Sequence, residues 1–217
     1  MKQKNVCLPF LWFTKLTGWL PALLFFRPKV YYINPAVQKK KLPRGSILMS
    51  NHKSLMDFAL YLIVFFGNTI RFQMAEVLFN KGKLFSSMLF GWGGIYVNRD
   101  TFDFSFMAET IKILDRGGKV GIFPEGRLPV AGKGWPFKPS IVYIALKSGA
   151  PIIPVYTDGN YGFGKRAHVL IGTPINLSDY TQSSDPDKEE LSRLLSLLED
   201  KNHQLEMALK ERIEREN

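Results

Sequence analysis

Ser46-Ile47-Leu48-Met49-Ser50-Asn51-His52-Lys53-Ser54-Leu55-Met56-Asp57, followed by Phe58-Ala59-Leu60-Tyr61-Leu62-Ile63-Val64-Phe65-Phe66, is the stretch that decides the fold. Ser46–Met49 is a short apolar run entered from Pro43-Arg44-Gly45, which suits a strand. Residues 58–66 are apolar and long enough for a helix. Between them Ser54 is placed to cap that helix, and Asp57, three residues on, has the spacing of a capping box. The stretch therefore predicts a strand, a polar loop and a helix, with His52 in the loop and Asp57 in the first helical turn.

The same alternation continues outward. Arg71–Ala75, Gly94–Arg99, Lys119–Phe123, Pro151–Tyr156 and His168–Ile171 suit strands. Lys83–Phe90, Phe102–Arg116 and Ile141–Lys147 suit helices, the second closed by Gly117-Gly118. Strands alternating with helices at this spacing predict an α/β layer fold. Residues 186–216 read as a charged amphipathic helix with Leu191, Leu194, Leu195 and Leu198 on one face, packed on the domain. No internal repeat is apparent.

The 217 residues suffice for one sizeable core. A composition 46% hydrophobic and 22% charged is that of a globular chain. The net charge of +10 is unevenly held: residues 1–56 contain ten Lys/Arg and no Asp or Glu, and the rest contains 19 of each sign. A basic, apolar beginning fits either nucleic acid or an anionic membrane. Its neighbours include Phe10, Trp12, Phe13, Trp19, Phe25 and Phe26 with many leucines, and Lys15 is the only charge from Val6 to Phe26. That mixture suits a bilayer interface better than a phosphate backbone, and no nucleic-acid motif accompanies it. A buried core helix is the alternative. Lys15, Gly18 and Pro21 interrupt the run, which predicts two short pieces, roughly 8–16 and 19–26, and no spanning helix. Lys2 and Lys4 resemble the start of a secretory signal, but no small-residue cleavage site follows. The single Cys7 permits no intrachain disulfide and no zinc site built on several cysteines, and no metal is expected.

Of the three histidines, His52 is the best-placed base. His168 lies in an apolar strand and reads as a core or edge residue; His203 lies in the charged tail and reads as solvated. On one continuous helix, residues five apart would point about 140° away from each other. If His52 precedes the helix and Asp57 opens it, the carboxylate can accept one ring N–H and leave the other nitrogen free as a base. A surface histidine beside a capping aspartate would give the same spacing. The base has no nearby cysteine to activate, so a substrate hydroxyl is the simpler target, and a thioester donor would need no covalent enzyme intermediate. Arg99 and the run Glu125-Gly126-Arg127 each follow a predicted strand. Two arginines at such an edge suit a phosphate, with Glu125 holding an arginine or a substrate hydroxyl; a structural Arg–Glu pair reads equally well.

Four blocks in order, Asn51–Asp57, Gly94–Arg99, Phe123–Arg127 and Ile152–Val155, resemble those of the glycerolipid acyltransferases, most of all the bacterial 1-acyl-sn-glycerol-3-phosphate acyltransferases. The resemblance covers residues 45–157. It implies a mixed, mostly parallel sheet flanked by helices, with a membrane-interfacial helical segment at the N-terminus. It implies transfer of an acyl chain from an acyl thioester, on acyl carrier protein or coenzyme A, to the free hydroxyl of lysophosphatidate, with no other cofactor. It implies His52 as general base with Asp57 as partner. Arg99, Glu125, Gly126 and Arg127 fall on the acceptor-binding positions, and Pro154 on the block that shapes the site. The third block departs from the usual Glu-Gly-Thr-Arg order, since Arg127 follows Gly126 directly. Phe137-Lys138-Pro139-Ser140 stands where Lys-x-Gly is common. The acceptor could therefore be another lipid, such as an ornithine or sugar lipid, and a non-catalytic lipid-binding protein is a further alternative. The implied organisation is a membrane-associating segment at 1–28, a catalytic domain at 29–184 and a C-terminal helix at 185–217. Membrane lipids are the implied partners, and the basic excess favours the cytoplasmic face of the membrane.

Overall fold

A computed structural model of the chain describes residues 6–36, 41–98, 104–130 and 134–216. Seven strands form one sheet: β1 (Lys29–Tyr32), β2 (Ser46–Ser50), β3 (Ile70–Ala75), β4 (Ile95–Val97), β5 (Lys119–Ile122), β6 (Ile152–Thr157) and β7 (His168–Ile171). Their order across the sheet is β1-β7-β6-β2-β5-β3-β4. Every pairing is parallel except β6 with β7. The helices are α1 (Leu8–Phe26), α2 (Asp57–Val64), α3 (Glu76–Phe79), α4 (Lys83–Gly91), α5 (Ser105–Asp115), α6 (Ser140–Ser148) and α7 (Lys188–Glu214). The mixed, mostly parallel sheet is as expected. Among the strands and α-helices two were not expected: α3, one turn long, and β1, whose partner β7 lies far along the chain.

Strand alternation divides the core into two layers. In β2, Leu48 faces a cluster with Phe26, Leu60, Tyr61, Phe65 and Phe72, the side of α1 and α2. Ile47 and Met49 face the opposite cluster with Ile113, Ile141, Leu194 and Leu198, the side of α5, α6 and α7. Gly121 in β5 is held to glycine by packing: a Cβ there would lie 2.2 Å from the Phe72 ring. The start of α7 is capped by Asp187, whose carboxylate accepts the Glu190 N–H at 2.9 Å. Its buried face runs on beyond the expected leucines to Leu205 and Leu209, which pack on Tyr156 and Leu170.

The N-terminal segment corrects the expectation of two short pieces. α1 is one helix of 19 residues, with Pro21 inside it. By length and composition alone it is long enough to cross a membrane, so the interruptions at Lys15, Gly18 and Pro21 do not exclude a span. Lys15 does the opposite of breaking the helix. It is only 3% exposed, and its Nζ donates to the carbonyls of Phe66 at 2.8 Å and Asn68 at 2.7 Å, just past the end of α2. The charge thus satisfies two carbonyls of the turn that follows α2. Phe10 stacks on Trp92, tying α1 to the residue after α4. The other face is bare: Phe13, Leu16, Leu20 and Leu24, at helical spacing, are each more than half exposed.

Candidate active site

The carboxyl ends of β2, β5 and β6 lie side by side, because β2 pairs in parallel with both neighbours. Met49 is level with Ile122, and Ser50 with Val155. The residues just beyond these strands therefore share one edge, where parallel α/β sheets hold ligands. Asn51 locks that edge. Its side-chain Nδ2 donates to the Thr157 carbonyl and its Oδ1 accepts the Thr157 N–H, both at 2.9 Å.

His52 follows. Its Nδ1 lies 2.8 Å from Asp57 Oδ2, and its ring stacks on Phe123 with centroids 4.3 Å apart. Phe123 stacks in turn on Phe72, so the imidazole rests on a rigid aromatic column. Asp57 is fully buried. Its Oδ2 also accepts the N–H groups of Lys53 at 2.7 Å and Ser54 at 2.9 Å. Its Oδ1 accepts the Tyr161 hydroxyl at 2.7 Å. Four donors thus converge on one carboxylate and fix its orientation. With Nδ1–H given to that carboxylate, Nε2 is the nitrogen left to take a proton.

The expected contact is present, but its local cause is reversed. α2 begins at Asp57 after Met56, which makes no side-chain cap. Ser54 Oγ accepts the Met56 N–H in a tight turn at 3.1 Å. The Asp57 side chain reaches backward to the loop; the serine does not cap the helix. His52 still precedes the helix and Asp57 still opens it.

Phe123 to Gly126 form a turn closed by the Gly126 N–H on the Phe123 carbonyl at 3.0 Å. Pro124 at the second position and Gly126 at the fourth suit it. Gly126 has φ +68°, the left-handed region, which explains glycine there. The turn aims the buried Glu125 at the loop after β2, where Oε1 accepts the His52 backbone N–H at 3.1 Å. Burial raises the Glu125 pKa, opposed by the His52 and Trp135 N–H groups. Glu125 thus holds the loop that carries the imidazole, a role the sequence reading did not assign. Arg127 is exposed, with its guanidinium 5.7 Å from the Trp135 ring centroid, and makes no ion pair with Glu125 among the described residues. Arg99 lies outside the described residues; Asn98, next to it, lines the same cavity as Arg127. Pro154 is level with Met49 in the sheet.

Three cavities meet at His52. One of about 350 Å³ has Asn98, Gly126, Arg127 and Lys138 among its walls. A second of about 460 Å³ is walled by apolar groups including Phe58, Leu78, Phe85, Leu89 and Trp92. A third of about 250 Å³ is polar, with Lys53, Glu125, Tyr156 and, from α7, Asn202 and Glu206. The reading of α7 as plain packing missed these last two. Tyr161 was missed altogether: it is 104 residues from Asp57, and no spacing rule connects them. Among the described residues no group of three or more His, Cys, Asp or Glu side chains could hold a metal ion.

This arrangement has relatives. The chain belongs to the Acyltransferase family, whose sequence model matches residues 34–158. It is 29% identical over 167 residues to the 1-acyl-sn-glycerol-3-phosphate acyltransferase of Borreliella burgdorferi, a match covering 72% of this chain and 66% of that protein. It is 27% identical over 178 residues to the enzyme of the same name from Bacillus subtilis, covering 79% and 87%. The one from Cocos nucifera is 26% identical, with 75% of this chain matched to 51% of that protein. The chain thus spans about two thirds of the first of these relatives and half of the coconut one. The fold is that of the crystal structure of the 1-acyl-sn-glycerophosphate (LPA) acyltransferase PlsC from Thermotoga maritima: TM-score 0.61 at 24% identity, over 93% of this chain and 79% of that one.

Proposed function

We propose that this chain is a 1-acylglycerol-3-phosphate O-acyltransferase, which moves an acyl chain from a thioester to the free hydroxyl of lysophosphatidate and yields phosphatidate. The observation that carries the reading is the His52–Asp57 pair at the meeting point of an apolar and two more polar cavities. The names of the relatives support the same acceptor. His52 Nε2 takes the hydroxyl proton as the oxygen attacks the thioester carbonyl. The tetrahedral intermediate collapses, the C–S bond breaks, and His52 passes the proton to the departing sulfur, which leaves as the free thiol. Asp57 keeps Nδ1 protonated and stabilises the imidazolium between the two steps. The thioester is already activated, so no covalent enzyme intermediate is required. Arg99 and Arg127 bind the acceptor phosphate, and Gly126 lets the backbone of the turn lie close to it. The apolar cavity takes an acyl chain.

The bare stripe of α1 lies in the membrane interface. An in-plane pose is favoured over a span, because the Lys15 and Phe10 contacts hold one flank of the helix along the domain. The excess of Lys and Arg in residues 1–56 favours the anionic cytoplasmic leaflet. Acyl carrier protein and coenzyme A both fit as donor carriers.

Purified protein on anionic vesicles tests the reading, with each donor in turn and a panel of lysophosphatidate, lyso-ornithine lipid and sugar lipid. Phosphatidate and free thiol in equal amounts are expected. Turnover confined to another acceptor, or none with any, would overturn it.

A further inference from the structure

Asp57 is held at one oxygen by the loop it serves and at the other by a distant tyrosine. Tyr161 OH donates to Asp57 Oδ1 at 2.7 Å, and Thr157 Oγ1 lies 3.3 Å from the same hydroxyl. Since the tyrosine proton goes to the carboxylate, Thr157 is the donor of the second bond. Burial and the Asp57 charge push the Tyr161 pKa far upward, so the phenol remains a donor at any working pH. Its ring is fixed edge-on to Phe26, the last residue of α1, with centroids 5.2 Å apart. The following backbone is bonded to the same helix end: Gly162 N–H donates to the Phe25 carbonyl at 3.2 Å, and Ala167 N–H to the Phe26 carbonyl at 2.8 Å.

We propose that Tyr161 is a positioning residue for the His52–Asp57 pair, setting the carboxylate from the oxygen that His52 does not use and taking its own placement from the end of α1. Without this bond Oδ1 would have no described partner in a buried site, and the carboxylate could rotate about its own axis. The bond also engages the carboxylate on the side away from His52, so that its two oxygens are held by different parts of the chain. The catalytic meaning of the inference rests on His52 being the base.

The test is Tyr161→Phe in the full chain, which keeps the ring on Phe26 and removes only the hydroxyl. Two readouts are taken. The first is the 15N titration of His52 in histidine-labelled protein; with three histidines in the chain, His52→Ala assigns the signal. The titratable and charged groups around the pair include Glu125, Lys53 and Tyr61 and, across the cavities that meet at His52, Lys81, Arg127, Lys138, Tyr143, Tyr156, Glu199 and Glu206, all unchanged in this variant. Loss of the donor leaves a more basic carboxylate, so the His52 pKa should rise by about half a unit to one unit. The second is turnover: kcat should fall about tenfold, with KM for donor and acceptor within about twofold. An unchanged titration overturns the proposal whatever the turnover, and so does unchanged kcat. Should Tyr161→Phe not fold, Thr157→Val weakens the same hydroxyl as a donor and must move the His52 titration in the same direction. The titration needs no substrate, so a wrong acceptor assignment leaves this answer intact.

Discussion

His52 and His168 each meet an aspartate through Nδ1, at 2.8 Å to Asp57 and 2.6 Å to Asp158. Each imidazole also stacks on an aromatic ring, Phe123 for one and Tyr31 for the other. The surroundings differ. Asp57 has no exposed surface and four donors on its two oxygens. Asp158 is partly exposed; beside His168 Nδ1 it accepts the backbone N–H groups of His168 and Asn160. Three cavities reach His52, and none of them reaches His168. The second pair ties the end of β6 to the start of β7. A His–Asp contact is therefore a common structural device, and access to the free ring nitrogen distinguishes a candidate base from a clasp.

The two aspartates break or sharpen this contrast most. Asp57→Asn should lower kcat on the order of 10²–10⁴-fold by undoing the tautomer and the imidazolium stabilisation. Asp158→Asn should leave kcat within about threefold and act on thermal stability alone. Comparable losses in both would erase the distinction.

A control separates general loosening from chemistry. Lys15→Met removes the donor to the Phe66 and Asn68 carbonyls and should cost about 1–3 kcal/mol, read as a drop in Tm of several degrees. The ratio of the Asp57→Asn effect to the Asp158→Asn effect should survive in that background.

The smallest effect concerns Glu125, which supports only the first pair. Its folded pKa lies above the usual 4.5 because of burial. The folded state thus binds its proton more readily than the unfolded state, and the resulting contribution to stability is present at low pH and lost as pH rises through that raised value. Glu125→Gln removes this term. The Tm of the variant relative to wild type should therefore be higher at pH 7 than at pH 4, as thermal melts at the two values would read.

Much of this geometry is legible in the sequence because it is local. His52, Asp57 and the turn at Glu125-Gly126 each follow a short apolar strand, and parallel pairing of β2 with β5 brings them together. What was not legible depends on contacts made only by the folded chain. Lys15 and Pro21 look like interruptions in a hydrophobic run, yet packing on α2 turns the lysine into a buried clasp and keeps the helix whole. Ser54 has the spacing of a cap, but the stronger acceptor, Asp57, takes the loop N–H groups. Glu125 has Arg127 two residues away and makes no ion pair with it among the described residues; it is turned inward by Pro124 and Gly126 toward a backbone N–H. Tyr161 stands in a loop of glycines and charged residues where nothing marks it.

The central claim is that His52 is the base and His168 is not. It is tested most directly by turnover of lysophosphatidate and an acyl thioester by His52→Ala and His168→Ala, assayed beside wild type on the same vesicles. The account predicts that His52→Ala lowers thiol release by about two orders of magnitude or more, while His168→Ala keeps it within about threefold. Full retention of activity in His52→Ala would contradict it.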